Sequence, residues 1–351
     1  MDTQSSTSTT TLTPPELKLS LRTPAAASAL AFGKGNYLAV GSDDGSLRLY
    51  NLPETRVLKA VRGLGSDVSS IAWLHPPGAD IGNVLVAAGP KIFLFGLDAP
   101  SMIRDPSQSL ILLDDIIDSD DIFNEIDISA NGKLLAFSCD RGLVGVIDLS
   151  TKRATKMRTS HTNICGAVRF IPNRPSEILS AGYDSVLLHF DITQGSVLSR
   201  FDIDGLPPSS TVSMSPPFVH CIAFSEHGAA AASTADGRVW IGRGGDKSIP
   251  SKKKRIRKWE GLREDAGNWV SLAEGPVVSV DFTTSESFVA CTLLGSLSQY
   301  KVGAGSTEGG IVWSRDVEQL EKVNCMRTNG AFIVVGGFSN GGKGLVEVYG
   351  V

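Results

Sequence analysis

The residues of this 351-residue chain that could act on a substrate are few, and the densest group lies near the C-terminus, from Gly337 to Gly344 (GFSNGGKG). Gly337–Gly341 matches the G-x-S-x-G elbow in which a serine attacks a carbonyl carbon. Such a serine needs a histidine later in the chain to take its proton, and none follows Ser339. Gly337, Gly342 and Lys343 also fall at the glycine and lysine positions of a phosphate-binding loop. Gly344 then stands where a Mg²⁺-binding Ser or Thr is needed, and a strand pattern follows instead of a helix whose N-terminus could hold phosphate. The stretch reads as a glycine-rich turn between strands. His75, His189, His220 and His227 show neither i, i+4 spacing nor the clustering with carboxylates that a zinc site requires, so no metal is expected. No recognisable motif pairs two carboxylates for acid–base work. These eliminations predict a chain with no catalytic residue and no cofactor.

The elements that carry these residues are short and repetitive. The chain has 37 glycines, 17 prolines and no long run of strong helix formers, a composition that favours many strands joined by tight turns. Ser28–Asn51 (SALAFGKGNYLAVGSDDGSLRLYN) reads as an apolar strand, a turn, a small-residue strand, an Asp-Gly turn and an alternating strand. The same grammar returns in Ile164–Thr193 and Val219–Arg243, and more weakly in Val68–Asp98, Ile122–Ser150, Val277–Val302 and Val323–Val351. Seven units about 48 residues apart compare with the roughly 40–45 residues of a four-stranded propeller blade. An outer strand is expected after most units, at Arg56–Arg62, Ser109–Leu113, Arg153–Thr159, Ser196–Asp202 and Gly310–Arg315; an insertion at about 244–267 obscures the fifth. The seventh unit lacks one, and Leu17–Arg22 (LKLSLR) precedes the first. The economical solution is an all-β, seven-bladed β-propeller closed by its N-terminal strand, with residues 1–16 a disordered tail and residues 17–351 one domain.

The units resemble WD repeats. In that family a buried His, a Ser or Thr, a turn Asp and a third-strand aromatic form a hydrogen-bond relay. The fourth unit fits best, with His161, Ser180, Asp184 and, in place of the usual Trp, Phe190. Asp44 and Asp236 occupy the equivalent turn in units one and five. No Trp-Asp dipeptide occurs, and only the fourth unit keeps the His. Over His161–Arg243 the likeness extends to one branch of the family, through His161-Thr162-Asn163-Ile164-Cys165 and the Arg174-Pro175 turn. The resemblance implies a non-catalytic scaffold or adaptor that binds proteins on the face built by the turns near Asp44, Lys91, Arg141, Tyr183, Asp236 and Asn340. Some relatives are substrate receptors of a cullin-type ubiquitin ligase and carry Trp-Asp-x-Arg after the third strand. Here Ile147-Asp148-Leu149-Ser150 and Phe190-Asp191-Ile192-Thr193 lack the Arg. A propeller hydrolase or lyase is the third alternative; it would need inward-facing His or carboxylate groups from several blades.

Two charged stretches remain. Lys252, Lys253, Lys254, Arg255, Arg257 and Lys258 put six basic residues into seven positions, consistent with a solvated loop, a nuclear-localisation signal or a contact for an acidic partner. Asp114–Asp121 (DDIIDSDD) reads as a solvated connection or a docking site for a basic partner. A net charge of −4 gives no general reason to expect nucleic acid as partner. The polar N-terminus lacks the apolar core of a signal peptide. The longest apolar run, Val84–Leu97, is broken by Gly89, Pro90 and Lys91 and is too short to span a bilayer. Five cysteines without a CxxC pair read as reduced, buried thiols. The expectation is a monomeric intracellular protein of the cytoplasm, the nucleus or both.

Overall fold

Hydrophobic alternation along short strands builds, among the described residues, seven sheets, antiparallel but for one edge pairing, arranged as blades around a central channel. The structure, a computed structural model, describes residues 13–76, 78–98, 100–203, 215–244, 258–303 and 309–351. The innermost strands of blades one to seven are Ala27–Phe32, Val68–Leu74, Phe123–Ile128, Cys165–Phe170, Val219–Phe224, Val277–Thr284 and Leu320–Thr328. Each touches the next around the ring, and the seventh returns to the first. Second strands such as Glu177–Gly182 are buried along their whole length, and Ala229–Thr234 at all but its first residue, because a sheet packs on both faces. Seven apolar clusters fill the seven spaces between blades. The seven-bladed all-β fold expected from the repeats is the fold found.

The ring closes through Glu16–Thr23, which pairs antiparallel with Gly344–Gly350 and completes blade seven as its outer strand. Leu21 from this strand is buried in the cluster between blades seven and one. This pairing covers two sheet edges that would otherwise be left open. Several outer strands are shorter than the sequence suggests: Lys59–Val61, Ile111–Leu113 and Arg153–Lys156. Ser196–Asp202 keeps its expected bounds, and Gly310–Asp316 runs one residue further. Blade one gains an unforeseen fifth strand, Ile103–Arg104, added in parallel to Lys59–Val61. Blade five is completed by Gly267–Ser271, where the insertion obscured the pattern. The returning limb of that insertion joins the body of the protein: Trp259 and Leu262 sit in the core between blades four and five.

Because strands alternate in direction, the turns joining second to third strands gather at one end of the channel. The turns joining first to second strands gather at the other. These two ends are called the turn face and the opposite face below. All five cysteines are unpaired and buried, and burial pushes the Cys139 and Cys325 thiols up to about 12. Among the described residues no helix is long and apolar enough to cross a membrane.

Candidate functional site

Blade four carries its polar groups at both ends of its second strand. At the turn face, His161 is buried, with Nδ1 2.9 Å from Asp184 Oδ1 and Nε2 2.8 Å from Ser180 Oγ. Asp184 Oδ2 accepts the backbone N–H of Thr162 at 2.9 Å. Burial works against charge on Asp184, but the His161 contact and the Thr162 N–H outweigh it and hold the carboxyl below its ordinary range. A Cβ at Gly182 would come within 2.4 Å of Asp184 Oδ1 and 2.5 Å of His161 Nδ1, so this close approach requires glycine. Phe190 is fully buried on the third strand, where it adds apolar packing between blades three and four.

The lower end of the same strand holds a second network. Glu177 Oε2 accepts from the Trp259 backbone N–H at 2.8 Å and lies 2.9 Å from His189 Nε2. Arg174 Nη1 reaches both Glu177 oxygens, at 3.2 and 3.3 Å. Burial opposes the charge on Glu177, yet His189, the Trp259 amide and Arg174 together hold it down to about 2. Trp259 is fully buried and donates its indole N–H to the Gly228 carbonyl at 2.8 Å. Lys258, just before it, donates to the Leu198 carbonyl at 2.9 Å. The other five cations of the basic stretch, Lys252, Lys253, Lys254, Arg255 and Arg257, lie outside the described residues.

In blade five an arginine contacts the turn aspartate directly, and in blade one an arginine reaches it only through Ser46. Asp44 Oδ1 accepts from the Ser46 N–H at 3.2 Å and from the Ser46 hydroxyl, and that hydroxyl accepts from Arg48 Nη1 at 2.8 Å. Asp236 accepts from Arg238 Nε at 2.7 Å and from the Thr234 hydroxyl at 2.5 Å. Arg238 also stacks over Trp269 at 4.7 Å. At the turn face Asp44, Lys91, Arg141 and Asn340 are exposed. Arg141 pairs with Asp118 and with Asp120, at 2.8 Å for the latter, so part of the acidic connection is spent on the protein's own cation. Tyr183 is half-buried, stacked on Phe218 at 5.5 Å and set edge-on to His220. Asp236 turns inward, with 3 % exposure, and presents nothing to a partner.

The channel holds the groups that motif reading missed. Aligning the inner strands places Ala31, Ala72, Asp127, Arg169, Ala223, Asp281 and Arg327 at one ring position, all lining a cavity of about 380 Å³ toward the opposite face. Two residues before Asp127, Glu125 adds a carboxylate one layer deeper, paired with Arg169 and 3.7 Å from Arg327 Nη2. These acids also stitch blades together. Glu125 accepts the Val168 N–H at 2.9 Å, Asp127 the Phe170 N–H at 2.7 Å, and Asp281 the Thr328 N–H at 2.9 Å. Each bond satisfies an open backbone donor of the next inner strand, which has no strand partner on its channel side. Burial pushes the carboxyls of Glu125, Asp127 and Asp281 above their usual range, and the nearby arginines only partly offset it. The legible signal would have been one charge recurring at the same inner-strand position in blades three, four, six and seven.

The family model described as "WD domain, G-beta repeat" matches residues 28–51, which are the first three strands of blade one. The chain is a seven-bladed β-propeller that carries a WD-repeat match in its first blade. It is 25% identical over 228 residues to a Dictyostelium discoideum protein named "WD repeat-containing protein 53 homolog". That match covers 59% of this chain and 59% of the relative, so the likeness spans about three fifths of each. The complete His–Ser–Asp relay lies outside that match, in blade four. The Asp positions that would precede the ligase-type Arg are occupied locally. Asp148 accepts from Ser150 and Thr151, and Asp191 accepts from Thr193.

Proposed function

We propose that this propeller is a non-catalytic, intracellular protein-interaction scaffold that works as a monomer and docks proteins on its turn face. The observation that carries this reading is the exposure of Asp44, Lys91, Arg141 and Asn340 on rigid hairpins from four different blades, all at one end of the ring. Loops held by a rigid framework suit recognition, because little ordering entropy is lost when they engage. Affinity purification of the tagged protein from cells, run beside a Lys91→Glu/Arg141→Glu variant, tests it. A defined set of partners that the double variant loses supports the turn face. Recovery of only background proteins, or the same set from both, overturns it. The ligase-receptor alternative has no arginine at its motif positions. A propeller enzyme is the second reading, favoured by the carboxylates from blades three and six in the channel. It predicts turnover of a small substrate that Glu125→Gln abolishes.

A further inference from the structure

We infer that the channel cavity on the opposite face is a receptor for a cationic side chain, an arginine or lysine presented by a partner protein, with Asp281 as its counter-charge. The cavity exists because three of the seven ring positions, Ala31, Ala72 and Ala223, end at Cβ. At about 380 Å³ it lies at the small end of ligand pockets, which run roughly 300–1,000 Å³, and suits one side chain better than a large cofactor. Its charges do not balance once the layer beneath it is counted. Asp127 and Asp281 line it with the guanidiniums of Arg169 and Arg327, and Glu125, one layer deeper and outside the lining, draws on both guanidiniums.

Both guanidiniums lean toward Glu125. Arg169 pairs with it and lies 3.9 Å from Asp127, and Arg327 approaches Glu125 at 3.7 Å. Asp281 has its Oδ2 held by the Thr328 N–H, the Phe282 N–H adds to that support, and among the described residues no cation lies within 4.0 Å of it. An incoming cation supplies the missing charge, whereas an anion would meet two arginines already engaged. A bare metal ion fits poorly, since among the described residues no group of three acidic, His or Cys side chains converges. Phe32, Phe170, Phe224 and Trp73 line the cavity around this floor. Their faces suit the methylene stem of a long cationic side chain and its head group.

This inference rests on the scaffold reading, since it takes the partner to be a protein, but it uses the other end of the channel. The probes are three capped pentapeptides, Gly-Gly-X-Gly-Gly with X arginine, lysine or the neutral isostere citrulline, titrated calorimetrically into the full chain. The arginine or lysine peptide should bind about tenfold more tightly than the citrulline one, the ratio expected when one charge pair is lost. Asp281→Asn should cut that preference to about twofold or less with an unchanged or higher melting temperature. Lys91→Glu on the turn face should leave it intact. Equal binding of the charged and neutral peptides, no binding of any, or an Asp281→Asn protein that keeps the preference would overturn the inference. Partner capture that Lys91→Glu/Arg141→Glu abolishes would leave the scaffold reading standing even if the peptides failed.

Discussion

Blade four and the channel both bury carboxylates, and they hold them in opposite ways. Glu177 receives a histidine, a backbone N–H and an arginine, and Asp184 receives a histidine and a backbone N–H. In the channel Glu125, Asp127 and Asp281 each receive one backbone N–H from the next blade and share two arginines among three acids. Burial raises all five; only in blade four do enough donors converge to reverse it. The number of donors per carboxylate, more than depth, decides whether a buried charge is settled or left with capacity for a ligand.

The sharpest way to break this contrast is Glu177→Gln. It leaves Arg174 buried without its carboxylate and removes the charge that faces His189, so unfolding stability should fall by about 3–5 kcal/mol. Guanidinium denaturation followed by tryptophan fluorescence would measure it, and a loss below about 1 kcal/mol would mean that the network contributes little.

Acid should reproduce part of that loss in the unmutated protein. Glu177 binds its proton more weakly folded than unfolded, so its stabilisation is complete above pH 4.5 and is lost as pH falls from 4.5 toward about 2. The shift corresponds to about 3 kcal/mol, and Asp184 adds to it in the same direction. Denaturation midpoints from pH 6 to pH 2.5 should show this fall, and Glu177→Gln should flatten it. An equal slope in the variant would place the acid sensitivity elsewhere. Asp184→Ala should cost less, about 1–3 kcal/mol, because it strips the acceptor from His161 Nδ1 but leaves the contact with Ser180. An unaltered denaturant midpoint would count against the relay as a stabilising device.

Legibility in the sequence followed the same division. The His161–Ser180–Asp184 relay was readable because it lies within 24 residues at a spacing that repeat grammar fixes. The blades were readable because alternation and Asp-Gly turns are local signals. The Glu177 network was not, since its Trp259 amide arrives from 82 residues away across an insertion that breaks the repeat. Asp236 looked like a surface turn residue, and only the structure shows Arg238 drawing it inward. The channel ring was hidden for another reason. Asp127, Arg169, Asp281 and Arg327 lie in four separate repeats, so no one repeat shows the cluster. They meet only once the blades are set around the channel, so their juxtaposition is a property of the ring and not of any repeat.

The smallest expected effect carries the opposite sign and therefore tests the contrast most directly. Asp281 is held above the ordinary carboxylate range by burial, with Arg327 only partly offsetting it. The folded state therefore binds that proton more tightly than the unfolded chain, and ionised Asp281 destabilises the fold as pH rises through its folded pKa. Asparagine keeps an acceptor for the Thr328 N–H while removing the charge. Asp281→Asn should thus be neutral or stabilising by up to about 1 kcal/mol at pH 7, and the difference from the unmutated protein should close as pH falls toward 4. Thermal melts of both proteins across that range would measure it. A destabilisation as large as that of Glu177→Gln would mean that Asp281 is settled by its neighbours as fully as the blade-four acids, with no capacity left for an incoming cation.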